Sequence, residues 1–304
     1  MSGLRRLVVT GATGKQGGGL INALLDLSPQ PFEIYAVTRN TTSGGSKALA
    51  SKGVKLIQGD FENAEQIFKQ VEKPWGLFSV TMPLGGAKKE EVQGKAMTKA
   101  ALDAGIQHII FTATDRGAQS DTDPTPIPHF ASKFNIEKDI EQKAKASSQG
   151  ATWTFLRPVA FYENLIPGFI GKGFVSMWRL NGLDNKVQHV STKDIGKVAA
   201  DAFVNASSPE YKNKAVHLAG DELSPRQMAT IFKEVTGEEI PATYSWLATV
   251  LRWMLNEQLG IMMKWWTTAG FKTDVEATRK RYPFMQDFRS WLETDSAWAK
   301  KGKA

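Results

Sequence analysis

The segment Gly11-Ala12-Thr13-Gly14-Lys15-Gln16-Gly17 carries the most specific chemistry in the sequence. It sets a glycine at every third position between an apolar run, Leu7-Val8-Val9, and a helical stretch containing Leu20 to Leu27. Glycines at this spacing permit a tight turn and let the backbone approach a pyrophosphate closely. The helix N-terminus that follows offers unpaired amides and a partial positive charge to the anion. A strand, glycine loop and helix in this order bind a dinucleotide. Arg39, just past the second β-rich run, then bears on the choice of cofactor. An acidic residue there binds the ribose 2′-hydroxyl of NAD, whereas a guanidinium accommodates the 2′-phosphate of NADP. Its bonds to phosphate are charge-assisted and often bidentate. The expected cofactor is therefore NADP(H). Asn40, Thr41 and Ser43 can add neutral donors, and either Lys52 or Lys55 can add charge.

Such a loop needs a sheet behind it. β-rich runs at Leu4–Thr10, Phe32–Thr38, Val54–Ile57, Gly76–Val80, His108–Ala113 and Trp153–Leu156 alternate with helical runs, notably Glu90–Ala104 and Ser132–Lys145. This alternation predicts an α/β fold with a parallel sheet covered on both faces. Right-handed crossovers make it a doubly wound Rossmann sheet. After Arg157-Pro158 the pattern changes, and glycine and aromatic residues gather between Phe161 and Gly182. A short run at Val187–Val190, a helix over Asp194–Phe203 and a strand over Ala215–Leu218 follow. The chain is mainly helical and tryptophan-rich from Ser224 onward. The expected organisation is an NADP-binding Rossmann domain over 1–158 and a smaller, mainly helical lobe for substrate or partner over 159–304. The strand at 215–218 has the option of returning to the main sheet. Asp121–Pro128, with three prolines in eight residues, is a loop and a candidate lid. Trp246, Trp253, Trp265 and Trp266 at helical spacing read as core. Trp178 and Phe174 are candidates for lining a flat apolar pocket.

The 304 residues suffice for one large domain, or a large domain with a smaller lobe. The absence of cysteine excludes disulfides, thiolate metal sites, iron–sulfur clusters and a thiol nucleophile. The four histidines, His108, His129, His189 and His217, show no paired metal-ligand spacing, so no metal is expected. The net charge of +7 is read as a solvated surface plus an anion-binding site, not as a nucleic-acid interface. A strand expected from Leu4 feeds the glycine loop almost at once, so no removable leader is expected. The apolar stretch Leu247–Trp266 contains Arg252, Glu257 and Lys264, which argues against a membrane span. The expected setting is cytoplasmic.

Several blocks in order resemble the NmrA-like family of atypical short-chain dehydrogenases. They are Val9-Thr10 with the glycine loop, Gln58-Gly59-Asp60-Phe61, His129-Phe130-x-x-Lys133 and Leu156-Arg157-Pro158-x-x-Phe161-Tyr162-Glu163-Asn164. Toward the end come Gly270-Phe271-x-x-Asp274-Val275-Glu276-Ala277-Thr278-Arg279 and Phe288-x-x-Trp291-Leu292. The resemblance implies a Rossmann domain, a smaller C-terminal lobe and a preference for NADP(H). It also implies residue roles. Asp60 and Phe61 sit beside the adenine, and Thr81 and Met82 border the adenosine or ribose. Lys133 reaches the nicotinamide ribose, and Pro158 and Phe161 border the nicotinamide. The family divides into reductases of small carbonyl or imine compounds, including in fungal secondary metabolism, and redox sensors that pair NADP(H) with a regulatory protein partner.

Typical short-chain dehydrogenases use a Tyr-x-x-x-Lys pair, in which the lysine lowers the tyrosine pKa for proton exchange with substrate. Here the spacing persists as His129-x-x-x-Lys133, with histidine in place of tyrosine. His129 is either an acid, given the ordinary histidine pKa of about 6.5, or a residue that packs at the helix start. Tyr162 is either a second acid or an aromatic of the pocket wall. Thr112 and Thr114 stand near the position of the usual serine. The expected activity is NADPH-dependent reduction of a small apolar carbonyl or imine substrate, with a non-catalytic NADP(H) sensor as the alternative.

Overall fold

The computed structural model describes residues 4–299. Its strands are β1 (Arg5–Val9), β2 (Phe32–Thr38), β3 (Lys55–Gln58), β4 (Gly76–Val80), β5 (His108–Thr112), β6 (Thr152–Pro158), β7 (Ala160–Phe161), β8 (Val187–Val190), β9 (Lys214–Leu218) and β10 (Asp221–Leu223). Its helices are α1 (Lys15–Leu25), α2 (Gly44–Ala50), α3 (Ala64–Phe68), α4 (Ala87–Asp103), α5 (Pro128–Ala146), α6 (Phe169–Arg179), α7 (Thr192–Val204), α8 (Pro225–Thr236), α9 (Ser245–Met254), α10 (Ile261–Thr268), α11 (Val275–Arg281) and α12 (Phe288–Thr294). The main sheet runs β3-β2-β1-β4-β5-β6-β9, and the pairings from β3 through β6 are all parallel. The order reverses between β1 and β4. That reversal is the switch point at which doubly wound sheets open a crevice for ligands.

The chain divides into two compact units. The first comprises Met1–Thr114, His129–Arg157 and Ile195–Val216, and the second Asp115–Pro128, Pro158–Asp194 and His217–Ala304. In the first, Leu7, Val8, Val9, Ile109, Ile110 and Phe111 are wholly buried, because helices cover both faces of the sheet. Burial of each such side chain stabilises the fold by roughly 1.5–3 kcal/mol. Helix α5 starts at Pro128, four residues before the expected Ser132. Proline is pre-organised for a helical first turn, where its missing N–H has no helical role. The earlier start puts His129 and Lys133 one turn apart on the same helix. Helix α4 likewise starts at Ala87, and its buried face includes Glu90, Gly94, Met97 and Ala101.

The second unit holds a small sheet that the sequence did not reveal, β10-β8-β7. Two of its strands have only two and three residues, too short for a period-2 pattern to register. The glycine- and aromatic-rich stretch after Phe161 contains a helix, α6, whose buried residues include Trp178. Trp178 packs against His189, with ring centres 5.2 Å apart. Helix α8 opens with a capping box between Ser224 and Gln227 and ends on left-handed Gly237. Trp265 and Trp266 are buried, as the periodicity predicts. Trp246 and Trp253 are not, at 67% and 79% exposed. Helix α9 is apolar on both sides, and the side that turns inward carries Ala248, so its spacing alone could not identify the buried face. Among the described residues, no helix is long and apolar enough to cross a membrane, and no cluster of three or more His, Asp or Glu is placed to hold a metal ion.

Candidate functional site

The glycine loop lies at the carboxyl end of β1, beside the switch point. Thr10 Oγ1 donates to the Phe78 carbonyl at 3.1 Å and accepts from the Val80 amide at 3.0 Å, tying the ends of β1 and β4 together. Gly11 has φ +58°, and a Cβ there would come within 2.5 Å of Val80 Cγ1. The Gly14 amide closes the turn on the Gly11 carbonyl at 2.9 Å. Gly17 lets α1 pack against that turn, since its Cβ would stand 2.7 Å from the Gly11 carbonyl carbon and 2.9 Å from the Thr10 oxygen. The α1 N-terminus has no side-chain cap and no acidic residue in its first turn. Gly11, Thr13, Gly14 and Lys15 are exposed, and Gln16 keeps a buried Oε1 without a hydrogen-bond partner among the described residues. First-turn amides lack helical acceptors. An uncapped N-terminus with open glycines around it fits the pyrophosphate of a dinucleotide.

Arg39 is exposed at the end of β2 and forms no ion pair among the described residues. The loop after it is tied down by its own polar groups. Asn40 Oδ1 accepts from the Thr42 amide at 2.9 Å and from Thr42 Oγ1 at 2.7 Å. Ser46 Oγ donates to the Asn40 carbonyl at 2.7 Å and lies 3.1 Å from Thr38 Oγ1. Ser43 Oγ donates to Ser46 Oγ at 2.8 Å. These bonds order the backbone beside the guanidinium. The two lysines weighed as extra cations are engaged elsewhere. Lys52 donates to Asn22 Oδ1 at 2.8 Å, and Lys55 pairs with Glu33.

Lys133 is drawn into a buried network. Its ammonium donates to Glu90 Oε1 at 2.8 Å, Thr81 Oγ1 at 3.0 Å and the Thr81 carbonyl at 3.2 Å. The side chains of Lys133 and Glu90 are 12% and 0% exposed. Burial raises the Glu90 pKa, but Lys133 with its hydrogen bond, Ser132 and Thr81 outweigh it and hold the carboxyl below its usual range. Glu90 is not among the site residues expected from the sequence, where it only opens a helical run. Its signal was present: it shares a helix face with Gly94, Met97 and Ala101, where a carboxylate is out of place unless paired.

The two expected proton donors lie in different surroundings. Tyr162 is 1% exposed and stacks between His189 and Trp291 at 5.8 and 5.5 Å. Its hydroxyl donates to the Gln286 carbonyl at 3.4 Å, and burial pushes its pKa well up. It packs as a core aromatic. Half-buried His129 sits edge-on to Phe130 at 4.9 Å. Burial first, and Lys133 second, lower its pKa to about 4, so it is neutral at pH 7. Thr112 Oγ1 is buried and has no hydrogen-bond partner among the described residues. Asp60 caps the turn that follows, accepting from the Glu62 and Asn63 amides at 3.0 and 3.2 Å. Phe61 is half-buried against the core, while Met82 is 62% exposed. Pro158 is buried and Phe161 half-buried.

Residues 4–284 match the model of the NmrA-like family. The chain belongs to the NmrA-like family. Among its curated NmrA-like relatives is the oxidoreductase FrzB of a Cladobotryum species, 26% identical over 275 residues, which cover 80% of this chain and 77% of that protein. Another is the oxidoreductase lnaB of Aspergillus flavus, 27% identical over 263 residues, with 79% and 75% covered. The triphenylmethane reductase of Citrobacter, solved with NADP(H), has the same fold at TM-score 0.73 and 20% identity, with 95% of this chain and 99% of that one covered. NmrA, a negative transcriptional regulator solved with NADP, matches at TM-score 0.69 and 19% identity, with 96% and 95% covered.

Proposed function

We propose that the protein is an NADP-dependent oxidoreductase of the NmrA-like family that reduces a small apolar carbonyl or imine compound. The observation that carries the cofactor choice is Arg39, exposed without an ion pair beside a loop whose backbone is already ordered. The glycine loop and the α1 N-terminus hold the pyrophosphate, Arg39 the 2′-phosphate, and Thr81 with Lys133 the ribose side. Bound NADPH supplies a hydride to the electrophilic carbon of the substrate. With Tyr162 in the aromatic core and His129 neutral, the proton for the substrate oxygen or nitrogen comes from water. The relatives named oxidoreductases support the reaction class. Hydride acceptors that form stable anions or neutralise a cation suit a site with no placed acid.

The test is consumption of NADPH, followed by the absorbance of the reduced nicotinamide, with a panel of apolar ketones, quinones and cyclic imines. At least one compound is reduced. The replacement of the usual tyrosine by His129 favours a second reading, an NADP(H) sensor for a protein partner. Tight NADPH binding without turnover of any panel member favours that sensor over the reductase.

A further inference from the structure

A carboxylate removed from water is tolerated only if it is ionised beside a fixed cation and its lone pairs are filled. Glu90 meets both conditions. Its Oε1 accepts from Thr81 Oγ1 at 2.7 Å and from Lys133 at 2.8 Å, and its Oε2 accepts from Ser132 Oγ at 2.5 Å. The Lys133 ammonium donates to one oxygen of Glu90 and to both oxygens of Thr81, which fixes where its charge stands. Thr81 follows Val80, whose side chain borders Gly11. The network thus begins next to the glycine loop and ends on a carboxylate that no solvent reaches.

Resting on the NADPH reading above, we propose that Glu90 is a positioning residue for dinucleotide binding, which clamps Lys133 and Thr81 beside the glycine loop. The groups that face this ammonium are few. Glu90 comes from α4 and His129 from its own helix, while β5 contributes the Phe111 ring at 5.8 Å and the end of β4 leads to Thr81. His129 is neutral above its pKa of about 4, so near pH 7 Glu90 is the single counter-charge among them. Without it, a mostly buried ammonium would lose the partner that fixes its position and offsets its desolvation.

The experiment is calorimetric titration of the full chain with NADPH between pH 6.5 and 9. Wild type, Glu90→Gln, Glu90→Asp, Lys133→Met and the Glu90→Gln/Lys133→Met double variant are compared. Glu90→Gln weakens binding about tenfold relative to wild type across this range, because Lys133 and Thr81 lose the carboxylate that holds them. Glu90→Asp keeps the charge and recovers most of that loss, whereas the isosteric but neutral Gln does not, a split that a merely space-filling role would not produce. The double variant binds as Lys133→Met does, because Glu90 acts through the lysine. Equal losses for Glu90→Gln and Glu90→Asp, or additive losses in the double variant, overturn the inference. If Glu90→Gln does not fold, Glu90→Asp and the double variant decide it: Glu90→Asp near wild-type affinity and a double variant equal to Lys133→Met are expected, and a double variant weaker than Lys133→Met overturns the inference. A wild-type protein that binds no NADPH refutes the cofactor reading along with this one. Wild-type binding that Glu90→Gln leaves unchanged at every pH refutes this inference alone.

Discussion

Two glycines three residues apart in sequence, Gly14 and Gly17, answer differently to a side chain. At Gly17 a Cβ would stand 2.7 Å from one backbone carbon and 2.9 Å from a backbone oxygen. Neither can yield without moving the β1–α1 turn. The overlap resembles overpacking a well-filled core and costs about 2–4 kcal/mol, so Gly17→Ala lowers the melting temperature by roughly 4–10 °C. At Gly14 the nearest atom to an added Cβ is the Gly11 oxygen at 3.1 Å, and the residue is exposed. Gly14→Val therefore leaves the fold and the far-UV spectrum intact. Its branched side chain instead occupies the space over the α1 amides, where the pyrophosphate belongs, and the NADPH Kd rises at least a hundredfold, about 3 kcal/mol. Scanning calorimetry reads the first effect and titration calorimetry the second. NADPH binding to Gly14→Val at wild-type affinity would refute the assignment of the loop.

Arg39→Ala removes most of the preference for NADPH over NADH. A charge-assisted bond contributes roughly 1.5–3 kcal/mol, so the NADPH Kd rises about ten- to hundredfold while that for NADH barely moves, as paired titrations would show. Stability falls on mild acidification. Burial lowers the pKa of His108 and His189 to about 4. The unfolded chain therefore binds more protons than the folded one between about pH 6.5 and pH 4. The stability these neutral imidazoles maintain is intact above that window and lost as pH falls through it, by roughly 3 kcal/mol each. A melting temperature that stays level from pH 7 to pH 5 would contradict this. Once a substrate is found, His129→Ala and Tyr162→Phe change kcat less than threefold, because neither group is the proton donor; a hundredfold loss in either would restore that residue as the acid.

The Rossmann sheet was legible because its strands are continuous apolar runs separated by helices, from Leu7-Val8-Val9 to Phe155-Leu156. The glycine loop was legible because its spacing serves backbone geometry, which the sequence expresses directly. Residues whose meaning depends on tertiary neighbours were not. Tyr162 stands in a segment that marks the family, and only the rings of His189 and Trp291 around it show that it is core. Glu90 is one of several acidic residues near a helix start until Lys133, 43 residues later, is seen to meet it. Trp246 and Trp253 have the spacing of a buried face, yet α9 turns its other side inward. Lys55 had the right charge for a phosphate, but Glu33 on the neighbouring strand takes it.

The central claim is that the glycine loop and Arg39 form an NADP(H) site. Titration of the unmodified protein with NADPH and, separately, with NADH at one pH and one ionic strength tests it most directly. The account predicts that NADPH binds roughly ten- to hundredfold more tightly, the worth of a guanidinium–phosphate contact. Equal affinities, or tighter binding of NADH, would contradict it.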